Sequence, residues 1–256
     1  MPYLGNSLSV GSSAVSASAV TTPAFTNTYS VDFTTDDYVD ITSVLSSVAT
    51  DTQGAFSAWV APTDATPVSS TIIIGFGDND ADNRLYYNIT EFSPAGRLIA
   101  VCRINGVTQW ILGTDAAITS DDTWVSVILS HNGTEPVLYV NGVAVAQTFT
   151  NTTDKTAWLN DIPAIDIATV GMLRYSSQSR NFFEGLIDEP AIFSTALTSQ
   201  QALAIGSNPP ADLTSYSPVG WWRFEEGTGT SITDSSGNGH TATLTNGPTF
   251  STDVPT

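Results

Sequence analysis

FFEGLIDEPAIFSTALTSQQ, residues 182–201, joins two kinds of local signal in one stretch. Up to Ile192 the chain runs in short apolar stretches separated by turn residues, the habit of strands. Thr198 then changes the pattern. Its hydroxyl is placed to accept from the Gln201 backbone amide while the Gln201 side chain reaches back, a capping box. Gly206 and Pro209-Pro210 stop that helix after about two turns. The stretch also carries Glu184, Asp188 and Glu189, the densest acidic cluster of the sequence. Glycoside hydrolysis would need two carboxyl groups about 5–5.5 Å apart for retention, or roughly 6.5–9.5 Å for inversion. Asp188 and Glu189 are adjacent, so on a strand their side chains leave opposite faces. Glu184 and Asp188 share a face but lie about 13 Å apart along it. The spacing does not fit a hydrolytic pair, which leaves a glycoside hydrolase as the third and least favoured reading, and Asp188 and Glu189 are expected to satisfy backbone amides near the turn and helix.

Outward from this stretch the strand habit continues. AFSAWV (55–60), STIIIGFG (70–77), RLYYNIT (84–90) and TWVSVILS (123–130) are short, rich in β-branched and aromatic residues, and bounded by Gly, Pro, Asn or Asp. Two hairpins can be placed. Asn105-Gly106 in LIAVCRINGVTQWIL and Asn141-Gly142 in PVLYVNGVAVAQ both accept the positive φ angles of a type I′ turn. The spacing predicts an all-β fold, an antiparallel β-sandwich or jelly roll with one short helix. Residues 1–28 read as a polar N-terminal arm, 207–218 as a linker, and 219–256 as further strands around a Gly/Ser/Asp turn.

Composition narrows the partners. The net charge is −18, from 25 acidic and 7 basic residues, and in the sequence the basic residues never cluster. Phosphate backbones are held by Lys and Arg in number, so no nucleic acid is expected, and an anionic membrane surface is disfavoured likewise. Cys102 is the only cysteine, which rules out an intramolecular disulfide and a thiolate zinc site. The first twenty residues lack Lys, Arg and a sustained apolar run, and read as neither a secretory signal nor a membrane helix.

SVDFTTDDYVDI (30–41) resembles the early strand pair of laminin-G-like, concanavalin A-like jelly rolls, the fold of lectins and glucanases. AFSAWV resembles the next strand, and TWVSVILSHNGTEPVLYVNGVAV (123–145) the Trp strand with its L-Y-V-N-G hairpin. Residues 182–201 resemble the closing strand and capped helix. These motifs cover residues 29–205 in the family's order. The tail departs from it: GWWRFEEGTGTSITDSSGNGHTATLTNGP (220–248) resembles the family's opening segment yet comes last. It therefore fills its own sandwich as a permuted segment, fills a neighbouring subunit, or stands as a separate repeat. The start MPYLGN is similar to starts of tailed-phage virion proteins.

The resemblance implies a non-enzymatic virion structural protein, a capsid decoration, head fibre or tail component. Its partners would be a capsid or tail protein of the particle, a second copy of itself, and cell-surface glycans. The alternative is a carbohydrate-binding or adhesion module of a bacterial surface protein. The glucanase signature, Glu, Asp and Glu at alternate positions of one strand, is missing. The metal candidate is Asp78, Asp80 and Asp82 in GDNDADNR (77–84), which alternate as in a calcium loop. The position where an EF-hand needs Gly is Asn83, and Ile89 stands where it needs a bidentate Glu, which leaves a rim calcium site or a solvated acidic turn. Trp158, in the polar DKTAWLNDIP, is either a stacking platform for sugar or a packing residue. His131 and His240 read as loop residues and Cys102 as an inert core thiol.

Overall fold

The structure is a computed structural model that describes residues 25–207 and 211–256. Its first strands are β1 (Ser30–Phe33), β2 (Tyr38–Asp40), β3 (Gly54–Pro62), β4 (Thr71–Gly77) and β5 (Arg84–Ile89), with the helix α1 (Leu45–Val48) between β2 and β3. Two hairpins follow, β6 (Leu98–Ile104) with β7 (Val107–Thr114) and β8 (Val125–His131) with β9 (Pro136–Val140). Then come β10 (Val143–Ala144), β11 (Gln147–Thr152), β12 (Ile167–Val170), β13 (Leu173–Tyr175), β14 (Gln178–Arg180) and β15 (Gly185–Phe193). The helix α2 (Ser199–Gly206) separates these from β16 (Gly220–Trp221), β17 (Ser231–Ile232), β18 (Ala242–Thr245) and β19 (Thr249–Ser251).

The antiparallel sandwich expected from the strand pattern is present. One sheet runs β10-β9-β8-β3-β15-β1-β19, with β16 also on β15; the other runs β11-β7-β6-β5-β4-β12-β2-β18-β17. Asn105 and Gly106 have φ of 50° and 75°, and Asn141 and Gly142 of 47° and 74°, so both Asn-Gly pairs sit in the left-handed region a type I′ turn needs. The Thr198–Gln201 capping box forms as the sequence indicates. The helix count is corrected to two, because α1 is one four-residue turn with no side-chain cap to announce it. Of the expected polar N-terminal arm, residues 1–28, only 25–28 are among the described residues.

Between the sheets, Phe33, Phe56, Phe76, Tyr87, Trp110, Trp158 and Trp222 are all essentially inaccessible. Their burial supplies the main driving force, at about 25 cal/mol per Å² of apolar surface removed from water. A second cluster covers the outer face of the first sheet. There Leu197, Ala202 and Ile205 of the α2 region, with Leu213 and Trp221, pack on Ala55, Ile128 and Phe193. That cover explains why all nine residues of β3 are buried. Among the described residues the second sheet has no such cover over β5, β6, β7 and β11, and its outer face there is free of packing partners.

The C-terminal strands pair within the chain. β19 lies on β1, with Val31 opposite Phe250, and β18 lies on β2, with Leu244 opposite Val39. Residues 25–28 dock on the same segment: the Phe25 ring stacks on Trp221, and the Thr28 amide donates to Glu225 at 2.8 Å.

Candidate functional site

Strand alternation builds the free face. Leu85, Tyr87 and Ile89 of β5, with Leu98, Ala100 and Cys102 of β6, point into the core. Tyr86, Asn88, Ile99 and Val101 therefore point outward, and they line a groove of about 310 Å³. Ser70, Thr90, Thr108 and Thr150 add hydroxyls, and Phe92, 64% exposed, stands at its edge.

Arg84, Arg97 and Arg103 line the same groove. They stand far apart in sequence, but the register sets Arg84 directly opposite Arg103. The expectation that the basic residues never cluster is thus corrected by strand pairing. Like charges in that position repel, and Asp82 sits between them. Its carboxylate accepts from Arg103 Nε at 2.8 Å and, through its other oxygen, from Arg84 Nη1. Burial raises the Tyr86 pKa against the pull of the neighbouring Arg84, keeping the phenol protonated. Arg97 is held at the other end, donating from Nε to Pro94 O at 3.1 Å and from Nη1 to Thr114 O at 3.4 Å.

The three aspartates that alternate as in a calcium loop are not brought together. Asp78 is buried and its Oδ1 caps its own turn, accepting from the amides of Asp80 at 2.8 Å and Ala81 at 3.2 Å. Its Oδ2 accepts from Asn83 Nδ2 at 2.8 Å. Asp80 Oδ1 accepts from Asn79 Nδ2 at 3.0 Å, and Asp82 is taken by the two arginines. Among the described residues no group of three His, Cys, Asp or Glu side chains is arranged to hold a metal ion. We expect the melting temperature to be the same in millimolar calcium and in EDTA; a chelator-sensitive midpoint would return the loop to consideration.

Of the two readings of Trp158, the structure places it as a packing residue. It is fully buried, its ring 5.1 Å from Phe56 and 4.8 Å from His131, so both packing partners belong to the core and no face is offered to sugar. His131 is a core residue rather than a loop one. Its Nδ1 accepts from the Gly133 amide and its Nε2 donates to Lys155 O at 2.9 Å. Burial lowers its pKa, which keeps the ring neutral. His240 is buried too, with Nε2 3.0 Å from the Ser47 hydroxyl. Cys102 is fully buried and burial pushes its thiol pKa up, as suits an inert core thiol.

Asp188 and Glu189 lie where β15 slips register against β3, and Glu189 has a φ of 50°. Of the backbone amides they were expected to bind, only that of Glu189 is taken, by Asp188 Oδ1 at 2.8 Å. Their other partners are side chains distant in sequence. Asn27 Nδ2 donates to Asp188 at 2.7 Å, and Arg223 Nε and Trp221 Nε1 donate to Glu189, the former at 3.1 Å. Burial pushes the Glu189 pKa up to about 7, against the pull of Arg223 and Trp221. Burial and the Glu189 carboxyl raise Asp188 as well. Both acids are thus the socket into which the two chain ends fit.

A family model described as the concanavalin A-like lectin/glucanases superfamily (Laminin_G_3) matches residues 33–202. The chain belongs to this superfamily. The match stops short of β16–β19, so the C-terminal strands of this concanavalin A-like chain lie beyond the part the family model describes. No curated protein sequence matches the chain. Among solved structures, the CBM40 of the Ruminococcus gnavus IT-sialidase aligns with a TM-score of 0.60 at 16% identity, over 70% of this chain and 97% of that one. The same CBM40 bound to α2,3-sialyllactose aligns at 0.59 and 16%, over 69% and 96%. A candidate carbohydrate binding protein from Bacteroides ovatus aligns at 0.54 and 16%, over 89% of this chain and 60% of that one. At these identities the likeness is one of fold.

Proposed function

We propose that this concanavalin A-like chain is a non-catalytic carbohydrate-binding module, working outside cells or on a cell surface, that takes a saccharide on the free face of its nine-stranded sheet. The groove carries this reading. A sugar needs apolar faces for its C–H surfaces and fixed polar groups for its hydroxyls. Tyr86 and Phe92 supply the first; Asn88 and the surrounding hydroxyls supply the second. The fold shared with the sialidase CBM40 supports it. The buried acids of residues 182–201 are engaged by the protein itself, which supports a role without hydrolysis. The virion reading rests on the family resemblance together with residues 1–6, which lie outside the described residues, and the fold likeness to carbohydrate-binding proteins supports the module instead.

A glycan array followed by calorimetry tests it. Binding should be lost in Phe92→Ala and Tyr86→Ala proteins whose melting transitions remain cooperative. If no glycan binds, or if both variants bind as the parent does, this groove is not the site.

A further inference from the structure

Three of the seven basic residues of a chain with net charge −18 line this one groove, and no Asp or Glu lines it among the described residues. Two of the three face each other across β5 and β6, an arrangement whose repulsion costs stability. Resting on the reading of the groove as a saccharide site, we propose that its ligand is an oligosaccharide carrying carboxylates on more than one ring, a uronate-type chain, rather than a neutral glycan or a single terminal acid.

The spacing of the charges carries the proposal. The Thr90 amide donates to Arg97 O at 3.0 Å, which places Arg97 beside Thr90, at the opposite end of β5 from the Arg84–Arg103 pair. Six residues of antiparallel strand span about 20 Å. One carboxylate cannot meet both ends. Between them Tyr86, Asn88, Ile99 and Val101 are uncharged, as ring contacts require. Two acids stand at the rim of the groove, Asp82 between Arg84 and Arg103 and Glu91 accepting from the Ser70 hydroxyl; acids more than about 8 Å away are largely screened at physiological salt. A short chain with sparse carboxylates therefore meets the local arginines rather than the net charge.

The guanidinium groups are held before any ligand arrives. Arg103 donates from Nε to Asp82 and from Nη1 to Thr108 Oγ1 at 3.3 Å, and Arg97 donates to two carbonyls. Nη2 of each has no protein partner among the described residues. Asp82 is accordingly a positioning residue: it fixes Arg84 and Arg103 and offsets their repulsion without lining the groove. Such preorganisation lowers the ordering cost of binding.

Calorimetry on the whole chain with four probes decides the matter: a hyaluronan hexasaccharide, a neutral chitin hexasaccharide, a chondroitin sulfate hexasaccharide and α2,3-sialyllactose. The uronate hexasaccharide should bind at least about ten-fold tighter than the neutral one and than sialyllactose, and weaken as salt rises. Arg97→Gln and Arg103→Gln should each lose about ten-fold for the uronate chain, since each removes a charge-assisted contact. Neutral-chain affinity should be unmoved, and Arg97→Lys should restore part of the loss. Asp82→Asn should narrow the acidic-to-neutral ratio, which a purely structural role would leave unchanged. Equal binding of the neutral hexasaccharide overturns the charge assignment and leaves the saccharide site standing. Equal binding of sialyllactose overturns the two-ended reading, and a strong preference for the sulfated chain overturns the carboxylate assignment. If no saccharide binds, the proposed function falls with it.

Discussion

A chain truncated after Ser217 is expected to show no cooperative thermal transition and no near-ultraviolet circular dichroism. Truncation removes β19 from β1 and β18 from β2, leaving both strands as open edges beside the core. It also removes Trp221, Trp222, Phe224, Ile232, Ala242 and Leu244, all buried. Full burial of a large apolar side chain is worth about 1.5–3 kcal/mol. Four such side chains account for roughly the whole 5–15 kcal/mol net stability of a typical domain. Glu189 would in addition lose its two side-chain donors, Trp221 and Arg223. Adding residues 218–256 as a separate peptide should restore the transition. A truncated chain that melts sharply by itself would show that the sandwich is complete without its tail.

Replacing Arg223 by Ala is expected to cost roughly 3–5 kcal/mol at pH 8, the usual penalty for leaving one partner of a buried ion pair. Arg223 is the salt-bridge partner of Glu189 and also covers the Phe25 ring at 3.8 Å, so the loss reaches the N-terminal segment as well. The cost should shrink at pH 5. Burial holds the Glu189 pKa at about 7 in the folded protein, above the ordinary 4.5. A carboxyl whose folded pKa is raised binds its proton more readily folded than unfolded. Its contribution is therefore greatest below pH 4.5 and is lost as pH rises through 7. Comparing the parent with Glu189→Gln isolates this group: the difference between their unfolding free energies should shift by about 3 kcal/mol against the parent between pH 4.5 and 8. Parallel stability curves for the two proteins across that range would refute the assignment.

The fold was legible in the sequence wherever local chemistry dictates geometry. Asn-Gly pairs and the Thr198–Gln201 box announce their own backbone, and strand length and composition announce the sandwich. The β13–β14 hairpin was missed because its turn is Ser176-Ser177, both at positive φ, 49° and 59°, where neither residue type signals such a turn. The site was legible in its parts and hidden in its assembly. Arg84, Arg97 and Arg103 meet only through the register of β5 and β6, and register is set by long-range pairing. Polar neighbours left both readings of Trp158 open, because DKTAWLNDIP, like GDNDADNR, looks solvated in one dimension. Their carboxylates are turned to nearby amides and arginines, while the Trp158 ring points into the core.

The pairing of β1 with β19 and of β2 with β18 also fixes when this domain is able to fold. Asn246 Nδ2 donates to Asp36 O across 210 residues, and β2 waits for β18 to become a fully flanked strand. Contacts of such sequence separation slow folding, because loop-closure entropy is lost before they form. During synthesis the first strands leave the ribosome long before their partners are made. The domain must therefore close after its last residues emerge, and the nascent chain carries two unpaired strand edges until then.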